Sequence, residues 1–306
     1  MYDIIGDVHG YASLLKKLLL KMGYVKTNGS YSHPTRKAVF VGDFINRGPE
    51  IRKTVKIIRG MVENENAYAI LGNHELNAII YHLKDKEGFL FAKEPHKYFL
   101  SLFKTIHEYS PYSSEWDEQL RWMRSLPLYL DFGKVRIVHA CWSDKAIKVV
   151  DSIREDGKIR KRTFKKIQKK SDPELSRSIW LLTKGVNLKM PHDLKIINNK
   201  GVSPRSIGIK WWEKTKNKTF KQLSFESKYE LPSYTIPNEL LPMTYPYPEN
   251  APIVFFGHFC QRMGPRIIKS NICCVDSCIH RSKILTAYRW SGEKELIEKN
   301  LIQLRG

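Results

Sequence analysis

Paired cysteines, long apolar runs and negative charge are what this 306-residue chain has least of. No run approaches the ~18 apolar residues that span a bilayer, and the N-terminal "MYDIIGDVHG" carries acids where a signal peptide needs a basic end and an apolar stretch. A cytoplasmic location, with no membrane partner, is therefore expected. The five cysteines, Cys141, Cys260, Cys273, Cys274 and Cys278, include no C-x-x-C pair, so free thiols are expected rather than a disulfide framework. Acids number 31 against 52 Lys+Arg, a net charge of +21 that favours polyanionic partners and is equally compatible with a surface that merely stays soluble.

What is present is a strand and helix alternation. "YDIIG" (2–6), "KAVFV" (37–41) and "AYAIL" (67–71) are short apolar runs suited to a sheet covered on both faces. Leu14, Leu15, Leu18, Leu19 and Met22 share one helical face, as do Ile51, Val55, Ile58 and Val62. Asn28-Gly29 predicts a tight hairpin. Downstream, "VRIVHA", "PIVFFGH", "NICCVD" and "KILTAYRW" read as a second block of strands. The stretch between His139 and His258 is too long for a simple connection, and residues 151–250 are expected to form an inserted cap within a single domain spanning 1–306. The cap includes residues 154–170, with nine basic residues against two acids, which read as a solvated helix or loop. Its Trp211, Trp212, Tyr245 and Tyr247 suit core packing first and base stacking second.

Polar residues collect just past the strand ends: Asp7 and His9 in "GDVHG", Asp43 in "GDFINRG", Asn73 and His74 in "GNHE", then His139 and His258. In open α/β sheets that edge is where ligands bind. A mixture of Asp, His and Asn suits a first-row transition ion better than Ca or Mg. Seven such groups exceed the needs of one ion, and Asp43 is the natural bridge between two.

These motifs, in this order, resemble the calcineurin-like metallophosphoesterase superfamily, and most closely its Ser/Thr phosphoprotein phosphatase branch with the bacterial and phage relatives. The resemblance implies a two-sheet α/β sandwich flanked by helices. It also implies two divalent ions, Mn most readily and Fe or Zn as options, held by Asp7, His9 and Asp43 on one side and by Asp43, Asn73, His139 and His258 on the other. Arg47 would clamp phosphate and His74 would act as general acid. Hydrolysis of a phosphoester or phosphoanhydride by a metal-bridged hydroxide is the implied reaction. A second phosphate-binding cation is expected from the middle segment, where Arg177, Arg205 and Lys210 are candidates.

The chain departs from the family at Asn46, where an Asp usually pairs with the His of "GNHE". An Asp would keep His74 protonated; Asn46 can orient the ring but not charge it. This favours leaving groups that need little protonation. The main expectation is a phosphatase of the Ser/Thr protein type, with a dinucleoside polyphosphate hydrolase or a nucleic-acid end phosphatase as alternatives. A basic nucleic-acid-binding module is the non-enzymatic reading, disfavoured because the whole ligand set is present. Cys260 stands where part of the superfamily has a further His and reads as a buried thiol. His33, His96, His107, His192 and His280 lack ligand spacing and read as surface or capping residues, and His82 as a packed histidine.

Overall fold

The computed structural model describes residues 1–88, 90, 95–153, 159, 161–169, 171–191, 205–225, 230–242, 244, 246–260 and 265–306. Strand β1 (Tyr2–Ile5) leads into α1 (Ala12–Lys21), a hairpin of β2 (Val25–Thr27) and β3 (Ser30–Ser32), β4 (Lys37–Phe40), α2 (Ile51–Glu63), β5 (Ala67–Ala69) and α3 (Asn73–Tyr81). The hairpin turns at Asn28-Gly29, both with positive φ. Helices α4 (Pro95–Tyr109) and α5 (Ser113–Met123) follow, then β6 (Tyr129–Asp131) and β7 (Val135–Val138). The interval before the next long strand holds α6 (Asp144–Asp151), α7 (Lys161–Lys169), α8 (Pro173–Lys184), the pair β8 (Asn187–Lys189) and β9 (Ser206–Gly208), and α9 (Phe220–Leu223). The chain ends through β10 (Ile253–Phe256), β11 (Arg266–Lys269), β12 (Ile272–Cys274), α10 (Ile279–Ser282), β13 (Ile284–Trp290) and β14 (Leu301–Arg305).

Two five-stranded sheets result, ordered β14-β13-β1-β4-β5 and β11-β12-β10-β7-β6. Each has a parallel centre, β1 with β4 and β5 in one and β12 with β10 and β7 in the other. The period of two explains their apolar runs. Ile4, Val39 and Ile70 meet Val135, Ile253 and Phe255 between the sheets, while Ile5, Ala38 and Phe40 point to the helices. This is the two-sheet α/β sandwich expected from the sequence.

The described residues of 151–250 share the main core: Phe164, Ile179, Leu182, Trp211, Trp212 and Phe220 belong to the same buried cluster as the helices over the first sheet. Trp211 and Trp212 pack on Phe256, and Tyr247 on Trp211, all three buried, so these rings are core and not stacking platforms. Burial of such side chains is worth roughly 1.5–3 kcal/mol each. Tyr245, His192 and part of the basic run 154–170 lie outside the described residues. Helix α8 is punctuated at both ends. Asp172 Oδ1 accepts from Leu175 N at 3.0 Å, Pro173 starts the helix, and Gly185 ends it with φ +70. Ala140 N donates to Leu182 O, so the last turn of α8 is tied to the end of β7. Among the described residues no helix is long and apolar enough to cross a membrane.

Candidate metal centre

The glycine-flanked strings lock backbone to backbone at the strand ends. His9 N donates to Asp43 O, Gly10 N to Phe44 O and Gly48 N to His9 O. His9, Asp43, Asn46, Arg47 and His258 all have positive φ, a region few side-chain-bearing residues occupy. Such strain persists only where the surroundings over-determine it, and it clusters at functional sites. A Cβ on Gly72 would come within 2.2 Å of Asp43 Oδ1, so only glycine lets the third motif approach the second. Glu75 then binds the loops together. Its Oε2 accepts from Asp43 N (2.8 Å) and Gly72 N (3.0 Å), and its Oε1 from Phe44 N (3.0 Å) and Ile45 N (3.2 Å). Burial, reinforced by Asp43, pushes the Glu75 carboxyl up to about 7.

All six expected ligands converge in the crevice. Asp43 is common to two groups, one with His9 and His74 and one with His139 and His258. Its Oδ2 lies 3.8 Å from both His9 Nε2 and His74 Nε2, and its Oδ1 lies 3.4 Å from His139 Nε2. Asn73 Oδ1 is 3.1 Å from His139 Nε2 and 2.7 Å from His258 Nδ1. The carboxylate of Asp7 accepts from His258 N, which ties β1 to β10. Two imidazoles are aimed by backbone carbonyls: His9 Nδ1 donates to Ile45 O and His139 Nδ1 to Val41 O, leaving each Nε2 facing the crevice.

The charges show why this set fits cations. Burial and the neighbouring Asp276 hold Asp7 well above the usual carboxylate range. Burial also lifts Asp276 to about 6. Burial alone would lower His139, but Asp43 and Asp7 outweigh it and raise that imidazole to about 10. Buried carboxylates so disposed, beside imidazoles whose ring nitrogens face one another, form the mixed N/O donor set of a first-row transition ion. A cation taking His139 as a ligand would displace its proton, so Mn²⁺ loading should release at least about one proton per chain, with apparent affinity rising ~tenfold per pH unit below about 10. Calorimetry in two buffers of different ionisation enthalpy measures this; equal heats in both would refute it.

Around this centre lie the groups expected to handle phosphate. Thr105 Oγ1 donates to Asn46 Oδ1, which fixes the amide so that Asn46 Nδ2 faces His74 Nδ1 at 2.6 Å. Burial, aided by Arg47, depresses His74 to about 4 despite Asp43. Arg47 Nη2 is 3.3 Å from His74 Nε2, and Arg47 Nη1 is 3.0 Å from His280 Nδ1.

Four groups escaped the sequence reading. His280, whose spacing predicts a surface or capping residue, reaches Arg47 from α10. Asp276 stands beside Asp7. Thr105 holds Asn46 from the buried face of α4. Lys184, at the end of α8, has its Nζ 3.9 Å over the Trp180 ring; burial lowers it to about 8, and it lies within electrostatic range of Asp43. The middle-segment cations proposed from sequence point elsewhere: Lys210 Nζ donates to Gln222 O and Arg177 Nε to Pro173 O. Arg205 is exposed beside β9, and among the described residues neither it nor Lys210 makes a hydrogen bond or ion pair with the centre. His82 is packed, its Nε2 accepting from Trp116 Nε1.

Cys260 and Cys278, expected as free thiols, face each other with Cα atoms 4.5 Å apart, within disulfide reach. β10 and β12 are parallel neighbours, so the turns beyond their carboxyl ends run side by side, and residues 18 apart in sequence meet there. Cys141, Cys273 and Cys274 are buried.

Comparison with known proteins fits this geometry. The chain is 49% identical over 73 residues to the asymmetrical bis(5'-nucleosyl)-tetraphosphatase PrpE of Oceanobacillus iheyensis, covering 24% of this chain and 29% of the relative. It is 36% identical over 146 residues to the PrpE of a Geobacillus species, covering 45% of this chain and 56% of that protein. The chain thus spans between about a third and a little over half of these relatives' lengths. A crystal structure of the cold-active protein-tyrosine phosphatase of a psychrophilic Shewanella superposes with a TM-score of 0.51 at 16% identity, over 94% of this chain and 75% of that one, a likeness of fold. The family profile of calcineurin-like phosphoesterases matches residues 2–262, and with the strand-end motifs, their order and the two sheets all in place, this chain belongs to that family of hydrolases.

Proposed function

We propose that the chain cleaves the phosphoanhydride link of dinucleoside polyphosphates at a pair of divalent ions. The sequence offers this as the alternative to a phosphatase of the Ser/Thr protein type, and the names of the curated relatives support it over that type. The observation that carries it is Asn46 Nδ2 at 2.6 Å from His74 Nδ1. A neutral amide cannot hold His74 protonated, so the site suits a leaving group that departs as a weakly basic phosphate.

Asp7, His9, Asp43, Asn73, His139 and His258 would hold the ions, with Mn the first choice and Fe or Zn open. When bound, such ions neutralise phosphate charge and supply a nucleophile at neutral pH. The chain's own side chains do the rest. Arg47 offers a planar fork to two phosphate oxygens, oriented from one side by His280. Lys184 brings a second positive charge from α8. Nδ1 of His74 faces the Asn46 amide while its Nε2 lies 3.8 Å from Asp43 Oδ2 and 3.3 Å from Arg47 Nη2, so the ring is held between the amide and the phosphate clamp.

The test compares initial rates on diadenosine tetraphosphate, a phosphothreonine peptide, p-nitrophenyl phosphate and a 3′-phosphorylated oligonucleotide after Mn²⁺ loading. Preference for the anhydride supports the proposal; preference for the peptide restores the protein-phosphatase reading. Asn46→Asp should place an acceptor against Nδ1, raise the His74 pKa from about 4, and speed a phosphoserine peptide about tenfold more than p-nitrophenyl phosphate. Equal effects on the two would sink the leaving-group argument.

A further inference from the structure

The geometry points to a nucleobase subsite in the cavity beside the Arg47 loop, where Pro49, Phe103, His107 and Pro111 would sandwich the purine of the nucleotide whose phosphates Arg47 holds. The inference rests on the proposed anhydride substrate and adds where its nucleoside binds. The cavity has a volume of about 520 Å³, within the range of small-molecule sites. Gly48, the residue after Arg47, forms part of its wall, so pocket and phosphate clamp are adjacent in the chain and in space.

Helix α4 serves both. Its inner face buries Leu102, Thr105 and Tyr109, and Thr105 fixes Asn46. Its outer face carries Phe103, 54% exposed, with Lys104 and His107. The Phe103 and His107 rings lie 6.1 Å apart and are tilted by 35°. An aromatic face left in water beside a cationic loop suits a flat, apolar, weakly polar-edged ligand, and any base offers a π-face to it. Lys104 Nζ, which also lines the cavity, donates to Arg47 O at 2.9 Å, so an ammonium stands at the cavity wall beside the Arg47 loop. Glu108 makes the walls rigid by accepting from Ile51 N and Arg52 N, both at 2.8 Å, so α4 is pinned to the start of α2. Ring, rigid prolines and cations together match a nucleotide: apolar at one end and anionic at the other.

The experiment titrates AMP and, separately, inorganic phosphate into the Mn²⁺-loaded protein by calorimetry, in the wild type, Phe103→Ala and Phe103→Trp. Phe103→Ala should weaken AMP about 5- to 100-fold and leave phosphate affinity unchanged, while Phe103→Trp keeps or tightens AMP. The KM for diadenosine tetraphosphate should rise in parallel with the AMP constant. Equal losses for AMP and phosphate, or no change for either, would overturn the subsite, as would wild-type protein binding AMP no better than phosphate. Failure of the substrate proposal looks different: the wild type would then hydrolyse p-nitrophenyl phosphate and leave the dinucleotide intact.

Discussion

Asp43→Asn should lower turnover by about 10⁴-fold or more and reduce the Mn²⁺ retained from two ions per chain to one or none. Asp43 is the one carboxylate shared by both donor groups. Its Oδ1 accepts from His74 N at 2.9 Å and lies 3.4 Å from His139 Nε2, while Oδ2 faces His9 and His74. Asparagine has nearly the same shape, so Oδ1 can still accept from His74 N and the loop can keep its course. What disappears is the anion around which four imidazoles are arranged. In the metal-free protein His139 would lose the partner that lifts it to about 10, and burial would then drive its pKa down. Metal analysis, thermal melting and initial rates, read together, separate the causes. Near-wild-type melting with little metal and no turnover is expected; retention of even a tenth of the activity would remove Asp43 from its bridging place.

The strand-end residues, His139 in "VRIVHA" apart, were legible because each sits beside a glycine where backbones touch. Gly72 against Asp43 and the positive φ of His9, Asp43 and His258 are the physical content of those short strings. The two sheets were legible for a similar reason, since strands buried on both faces are apolar without alternation. His280, Lys184, Asp276 and Thr105 had no such signal. Each arrives from an element distant in sequence, and a lysine ending an amphipathic helix or a threonine on a buried face looks like its neighbours until packing brings it to the crevice. The Cys260–Cys278 pairing belongs with them, because it depends on two parallel strands ending side by side. Asn46 was legible as a departure, yet its consequence depended on Thr105, which decides which end of the amide meets His74.

Glu75→Gln should be the most damaging change outside the ligand set, lowering stability by roughly 3–5 kcal/mol and the melting temperature by about 5–10 °C. Glu75 is fully buried, and its two oxygens accept from four backbone amides, two each, belonging to both the "GDFINRG" and "GNHE" loops. Glutamine has the same size but only one acceptor atom, so its amide nitrogen must confront two N–H groups whichever way it is turned. The cost is two buried donors without partners, each worth about 1–3 kcal/mol. Above pH 8 the wild-type carboxyl, lifted to about 7, is ionised, so the comparison there is between a full acceptor and half of one. Loss of function should follow through geometry: Asp43 N is among the amides released, and the loop that carries Asp43, Asn46 and Arg47 in left-handed conformations would relax. Mn²⁺ affinity should therefore fall with stability although no ligand has been touched, and excess Mn²⁺ should restore part of the melting temperature by mass action. A variant that melts within a degree or two of the wild type and binds Mn²⁺ equally well would show that the loops hold their strained course without Glu75.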